Sequence, residues 1–270
     1  MESINRMIKN IFKGIQAYSG VFKLMAQLKL WKYFFVPIGI SILTATLIGF
    51  SAYGLSDTIG NFIAKVWFWD WGKHVFTSIS NIIGAIVVLV IGLILYKHII
   101  MAFSAPFMSP VSEKIEAHLT GIEKHQHRKT SFQEQLWRGI RINLRNLIKE
   151  LVFTVPLLLL KLIPVVNIFS TIALFMVPAF YAGFGNMDYT LERHFNYKES
   201  IQFIKQHRGI AIGNGLVFML FLFIPVIGII LVLPLSVTAA SLKTVTLLKE
   251  EGLLVRHATV DILRKEKDNY

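Results

Sequence analysis

The chain has 270 residues, of which 54% are hydrophobic and only 16% charged, whereas soluble domains carry about 25% charged residues. In a soluble protein, a net charge of +12 would indicate nucleic-acid binding. Here, however, the basic residues flank long apolar runs. This combination predicts a single-domain, all-α integral membrane protein with no nucleic-acid partner, oriented by its basic residues in an anionic bilayer. The absence of cysteine excludes disulfides, iron–sulfur clusters and thiolate catalysis.

The N-terminal segment, residues 1–32, is expected to begin as an amphipathic helix at the membrane surface. Basic residues are scattered through it, and it has no compact apolar core followed by small residues, so it does not resemble a signal peptide. Apolar residues recur at helical spacing, with Arg6, Lys9 and Lys13 elsewhere on the helical wheel. The apolar set is Ile4, Met7, Ile8, Ile11, Phe12 and Ile15.

Two uncharged runs predict transmembrane helices, at residues 33–53 and 79–96. The loop between them has two basic and two acidic residues, whereas every other polar segment has a basic excess. The positive-inside rule therefore places that loop outside the cell and the remaining polar segments in the cytoplasm. Three tryptophans in the loop are expected at the outer headgroups: Trp67, Trp69 and Trp71.

Residues 97–150 are predicted to form a cytoplasmic helical segment. The sequence from Ser131 to Glu134 has the form of a capping box, which marks the start of a helix. Behind it, four basic residues form one stripe that either attracts anions in a cytoplasmic vestibule or contacts lipid headgroups. The stripe is Arg138, Arg141, Arg145 and Lys149, and the opposite face is Trp137, Ile140, Leu144, Ile148 and Leu151.

Two further apolar regions, residues 151–187 and 209–242, each contain a similar phrase, LIPVVNI and FIPVIGI, with a proline near the middle. Each region must leave the cytoplasmic side and return to it, although the second has only thirty-four residues for two crossings. Pro164 and Pro225 are therefore predicted to turn two partly penetrating helical hairpins. In the alternative interpretation, the prolines kink two long buried helices. The segments that follow, 188–208 and the tail 243–270, are expected in the cytoplasm.

Few residues in these regions could carry chemistry. Lys161 lies three residues before Pro164 and could hold an anion near the first hairpin tip, or it could snorkel or cap the helix. His125 and His127 are a weak metal signal in a polar loop, and Asp188 is interpreted as a structural cap. We predict no catalytic residue, no metal and no cofactor, since the sequence lacks phosphate-loop, nucleophile-elbow and metalloprotease motifs.

An ordered set of short motifs resembles the CysZ-type sulfate permease family, which is related to the eukaryotic etoposide-induced protein family. AFSAPFMSPVSEKIEAHLTG, residues 102–121, is similar to the family's "APF…E…LTG" segment. An arginine-rich helix, an Ile-Pro hairpin, Asp188-Tyr189 and a second Ile-Pro hairpin with a late proline, Pro234, follow in the family's order. The resemblance covers about residues 10–245 and implies long spanning helices with two partly penetrating hairpins.

The resemblance implies uptake of sulfate for cysteine biosynthesis through the bacterial inner membrane, by a homo-oligomer. The family's anion-binding signature, of the form Gly-Leu/Ile-Arg-Arg, corresponds here to Lys29, Leu30, Trp31 and Lys32. Lys29 and Lys32 are therefore candidate anion contacts, together with Lys161, Arg138 and Arg141. The alternative function is a membrane scaffold or lipid-interacting protein that shares the fold without transporting.

Overall fold

The computed structural model describes residues 4–68, 71–121, 131–161, 163–164, 166–224 and 227–254, and within these ranges every regular element is helical. The α-helices run in the order α1 (Ile4–Gln16), α2 (Val21–Gln27), α3 (Phe35–Ala64), α4 (Lys73–Thr120), α5 (Phe132–Leu160), α6 (Asn167–Leu191), α7 (Tyr197–Gln206), α8 (Arg208–Leu222) and α9 (Ile227–Glu250). A 3₁₀ turn, Leu30–Tyr33, precedes α3. The predicted all-α membrane fold is confirmed.

Helices α3 and α4 form the long antiparallel pair. Small residues let the two helices approach closely, with Gly84 against the backbone of Ser56 and Gly60 against Asn81. Large apolar side chains cover the outside of the pair from Phe35 to Leu95, as expected of a surface that faces lipid. Four helical stretches of the described chain are long and apolar enough to cross a membrane: Phe35–Ala64, Lys73–Thr120, Asn167–Leu191 and Ile230–Glu250.

Helix α4 does not end where the sequence predicts the end of the second span. It continues without a break past Tyr96 to Thr120, and both Pro106 and Pro110 lie inside it. The segment from Tyr96 onward is the core of the molecule, since Ile100, Met101 and Met108 are completely buried. Helices α5, α6 and α9 pack against α4.

Helices α5 and α6 form the first hairpin and reach much less far than α3 and α4. The Lys97 ammonium contacts both Glu150 on α5 and the Pro178 carbonyl on α6, so these three residues mark one level. At about 1.5 Å per residue, α4 extends about 36 Å from this level to Lys73, α5 about 15 Å to Leu160 and α6 about 17 Å to Asn167. A hydrocarbon core is about 30 Å thick, so beyond this level the α3–α4 pair is long enough to cross it whereas the first hairpin is not.

Helices α8 and α9 form the second hairpin beside the first. Gly183 of α6 packs against the backbone of Ala211, and Gly215 of α8 packs against the backbone of Ala179. Beyond Gly215, α8 continues for only about 10 Å before it ends at Leu222. The two hairpins therefore have similar, limited reach, although α6 and α9 are long enough by residue count alone to span.

The turns of the two hairpins differ in how fully they are described. Pro164 lies in the turn between α5 and α6, and Asn167 is the first residue of α6. Pro225 lies outside the described residues, whereas Gly228, predicted in the turn, lies inside α9. Among the described residues near the first tip, the apolar side chains Leu159, Ile163 and Ile168 are exposed.

Helix α1 lies against α8 and keeps an apolar ridge exposed. Its buried Gly14 meets the backbone of Ile210 and Gly213, so the two helices are in close contact. Ile4, Ile8 and Phe12 remain exposed on the outer side, next to exposed Lys9 and Lys13. This arrangement is the amphipathic N-terminal helix that the sequence predicts.

Candidate functional site: a buried charged seam and a lysine pair

Helix α5 is turned the opposite way from the orientation usual in a soluble protein. The face that packs against the body carries Ile142, the amides Asn143 and Asn146, and the carboxylate Glu150, all of which are buried. The predicted apolar face is mostly exposed: Trp137, Leu144, Ile148 and Leu151. The polar side chains of α5 therefore line a seam, defined as the contact region between α4, α5 and the end of α6.

The first charged cluster of the seam joins α4 to α5. The Lys97 ammonium donates to the Glu150 carboxylate at 2.7 Å, and His98 Nε2 lies 3.2 Å from the same carboxylate. Lys97, His98 and Glu150 have at most 4% of their surface exposed. A buried lysine is costly unless it is paired and hydrogen bonded, so Glu150 stabilises its position.

The second cluster joins α5 to α6. The Arg138 guanidinium binds Asp188 in a bidentate manner, with Nε–Oδ2 and Nη2–Oδ1 distances of 3.1 and 2.9 Å. It also donates to the Phe195 carbonyl and the Ser200 hydroxyl. Burial lowers the pKa of Arg138, but the charge of Asp188 outweighs this effect and raises the pKa above its ordinary value. Arg138 is therefore a cation that is already compensated.

The third cluster joins α4 to the segment that follows α6. Arg193 Nη2 and His194 Nε2 lie 2.8 and 3.0 Å from Glu116 Oε2. Arg193 also donates to the Ser112 hydroxyl, whose own hydrogen bonds reach the Tyr189 carbonyl. All these side chains are buried, and Glu116 is completely so. The arrangement repeats that of the first cluster, with a basic residue and the histidine after it binding one glutamate.

Glu192 adds a fourth carboxylate, directly after α6. Burial and the nearby charge of Asp188 raise its pKa to about 8, although Arg138, Arg193 and a hydrogen bond from Ser109 act in the opposite direction. At neutral pH the carboxyl group is therefore mostly protonated in the folded protein. The charges of Lys97, Arg138 and Arg193 then balance those of Glu150, Asp188 and Glu116.

This protonation predicts a pH-dependent stability. Between the ordinary pKa of 4.5 and about 8, the folded state holds a proton on Glu192 that the unfolded state has released. Stability from Glu192 is therefore fully present below pH 4.5 and is lost as the pH rises through about 8. We expect Glu192→Gln to flatten the decline of Tm between pH 6 and 9 in detergent (a range that brackets the folded pKa).

The control for this prediction is Glu113→Gln, because Glu113 is an exposed carboxylate on α4, three residues before the buried Glu116. This variant should keep the pH dependence of the wild type. A Glu192→Gln protein whose Tm declines as steeply as that of the wild type would contradict the assignment of the proton to Glu192.

The predicted anion contacts lie in three separate places. Lys29 and Lys32 are exposed beside the start of α3, Lys161 is exposed at the end of α5, and Arg138 lies in the seam. The Arg141 guanidinium stacks over the Tyr197 ring at 4.3 Å. The four basic residues of α5 thus do not form one uniform stripe, because Arg138 turns inward to Asp188 and Arg145 lies over Phe184 at 5.1 Å. The predicted histidine pair, His125 and His127, lies outside the described residues.

The structure adds a lysine that the sequence did not single out. The ammonium groups of Lys32 and Lys114 lie 5.1 and 5.7 Å from the centroid of the same Tyr33 ring. Both lysines are exposed, and within the described part of the chain neither has a carboxylate partner. We call Lys32, Tyr33 and Lys114 the lysine pair site. It joins the 3₁₀ turn to α4, at the point where α3 begins.

Lys29 precedes this turn with an unusual backbone conformation. Its φ of 52° makes it the one non-glycine residue with a left-handed conformation in the described chain. This conformation costs an L-residue about 1–2 kcal/mol, which glycine avoids. The sequence resemblance aligns Lys29 with a glycine, which is the residue type that adopts this conformation without strain.

Comparison with known families agrees with this architecture. A family model described as sulfate transporter CysZ/etoposide-induced protein 2.4 matches residues 17–233. The match covers most of the chain, including α3, α4, the first hairpin, α8, the start of α9 and the seam. The chain belongs to this family of multi-pass membrane proteins, and its resemblance to the sulfate permeases is confirmed. Among curated proteins, none matches the chain.

Proposed function

We propose that this protein transports an oxyanion, with sulfate as the first candidate, across the bacterial inner membrane for sulfur assimilation. The observation that carries the proposal is the lysine pair site, where two exposed ammonium groups flank Tyr33 beside a spanning helix. Two exposed cations at one ring, with no carboxylate partner among the described residues, attract an anion because their potentials add. Membership of a sulfate transporter family supports the same substrate class.

The remaining predicted contacts have weaker support. Lys29 adjoins the lysine pair site along the chain, whereas Lys161 is near the first hairpin tip and Arg141 is engaged with an aromatic ring. Arg138 is already compensated by Asp188. We therefore propose that the imported anion contacts Lys29, Lys32 and Lys114 where it leaves the protein, on the cytoplasmic side defined by the positive-inside rule. Assembly as a homo-oligomer in the lipid bilayer remains part of this proposal.

The test is uptake of labelled sulfate by purified protein reconstituted in liposomes. We expect Lys32→Ala combined with Lys114→Ala to reduce flux at limiting sulfate by about tenfold or more, because a hydrogen bond to a charged group contributes about 1.5–3 kcal/mol. Lys65→Ala is the matched control, since the Lys65 ammonium lies over the Phe62 ring at the opposite end of α3. Unchanged flux in the double variant would show that Lys32 and Lys114 do not contact the transported anion.

A non-transporting, lipid-interacting scaffold is the second candidate. The exposed ridge of Ile4, Ile8 and Phe12 beside Lys9 and Lys13 favours it, because such a helix binds an anionic membrane surface. The same liposomes separate the two functions. Flux no greater than in empty liposomes, for both sulfate and sulfite, would reject transport of these anions and leave the scaffold.

A further inference from the structure

Lys97 and His98 form a buried binding arrangement whose present occupant is a carboxylate of the same chain. Lys97 Nζ is 2.7 Å from each oxygen of Glu150, and His98 Nε2 is 3.2 Å from Oε2. Two donors from one helix therefore converge on a single anionic group from another. An external oxyanion presents the same kind of acceptor, oxygen atoms that share negative charge.

A second observation is an unpartnered buried donor on the same buried face of α5 as Glu150. Asn146 lies one turn before Glu150 on the buried face of α5, and its side chain is completely buried. Its Oδ1 accepts from Arg145, but its Nδ2 donor has no hydrogen-bond partner among the described residues. A buried donor without an acceptor costs about 1–3 kcal/mol, which an anion oxygen within reach would recover.

The position of the cluster also suits an anion that leaves or enters the membrane. It lies at the level where the first hairpin begins its apolar, exposed tip, about 36 Å along α4 from the outer end of that helix. The Pro178 carbonyl, 3.4 Å from Lys97 Nζ, completes the surroundings of the ammonium group. Irregular or polar groups at such a level persist where they are buried in protein or line a wet cavity.

We propose that Lys97, His98 and Asn146 form an oxyanion-binding site and that Glu150 is its internal competitor. In the resting state Glu150 neutralises Lys97 and keeps external anions out by occupying their place. An oxyanion binds when the Glu150 side chain turns away, so the exchange of the two anions controls occupancy. This inference rests on the proposed function, since it takes the ligand to be an oxyanion such as sulfate.

The experiment measures sulfate binding through thermal unfolding of the full-length protein in detergent, with sodium chloride at equal ionic strength as the reference. Glu150→Gln removes the competitor without changing the size of the side chain. We expect sulfate to raise the Tm of this variant saturably, by about 3–5 °C at ten times the dissociation constant, and to raise that of the wild type much less. Lys97→Met combined with Glu150→Gln should abolish the sulfate effect.

Glu134→Gln is the control variant, since Glu134 lies in the exposed capping box of the same helix. Equal sulfate stabilisation of Glu134→Gln and Glu150→Gln would overturn the proposal, as would a sulfate effect that survives the loss of Lys97. If Glu150→Gln is not recovered in chloride, the readout becomes the yield of folded protein purified in sulfate or in chloride. Equal yields, including none in either salt, would also overturn it.

This result can be separated from the outcome of the flux assay. Sulfate binding by Glu150→Gln without flux in the wild type would support the site and count against transport. Flux in the wild type, without any sulfate effect on Glu150→Gln, would support transport and reject this site.

Discussion

Replacing Gly183 by valine is expected to prevent recovery of folded protein. A Cβ atom at this position would overlap the carbonyl oxygen of Ala211, which belongs to the backbone of α8. The reciprocal contact, Gly215 against the Ala179 carbonyl, fixes the same pair of helices a turn away. Because neither backbone can move without separating α6 from α8, the substitution forces the two hairpins apart, well beyond the usual cost of about 1–3 kcal/mol for overpacking.

The measurement is the fraction of monodisperse protein after detergent extraction, compared with Gly49→Val. Gly49 lies in α3, where a Cβ atom meets nothing within 4 Å, so valine should be accepted there. Gly183→Ala should show an intermediate loss. Normal yields of Gly183→Val would mean that α6 and α8 are farther apart than the structure places them.

Removing the Glu116 carboxylate is expected to have the second largest effect. Glu116→Gln leaves Arg193 buried without its charge partner, and breaking a buried ion pair in this way costs about 3–5 kcal/mol. For a domain of about 150–250 residues, such a loss lowers Tm by roughly 2–4 °C per kcal/mol. We therefore expect a fall in Tm of about 6–20 °C.

The matched control is Glu251→Gln. Glu251 also pairs with a histidine, His207, at 2.8 Å, but its side chain is 40% exposed. Exposed pairs contribute about 0–1 kcal/mol, so the Tm should change little. If both variants lost the same stability, the buried Glu116–Arg193 pair would contribute no more to stability than the exposed pair.

These two effects concern features that local sequence patterns do not display. The glycines of α6 and α8 are ordinary members of apolar runs, and only the packing of the two hairpins makes their missing side chains necessary. Glu116 and Glu150 look like solvated charges in a polar segment. Their partners are up to 78 residues away, so no helical periodicity could have joined them.

Some of the chemistry could have been anticipated. Lys97 and His98 follow directly after the second apolar run, and a charged pair at the end of a span deserves consideration as a buried site. The sequence predicts that Asp188 is a structural cap, whereas its side chain on α6 binds Arg138 of α5. Counting charges by segment predicts the orientation of the chain. However, such a count does not distinguish buried charges from exposed ones.

Sequence patterns alone predict the all-α membrane class, the long helix pair, a first hairpin that turns near Pro164, a second apolar hairpin and the amphipathic first helix. Apolar run length, charge asymmetry and residue period are local quantities, and each of these features follows from one of them. Three features are visible only in the tertiary structure. Helix α5 turns its polar face inward, α4 continues into the core, and the ammonium groups of Lys32 and Lys114 both lie near the Tyr33 ring. These features depend on contacts between segments that are far apart in the sequence. The residue pattern of a single helix does not show which distant segment will bury its surface or pair with its charges.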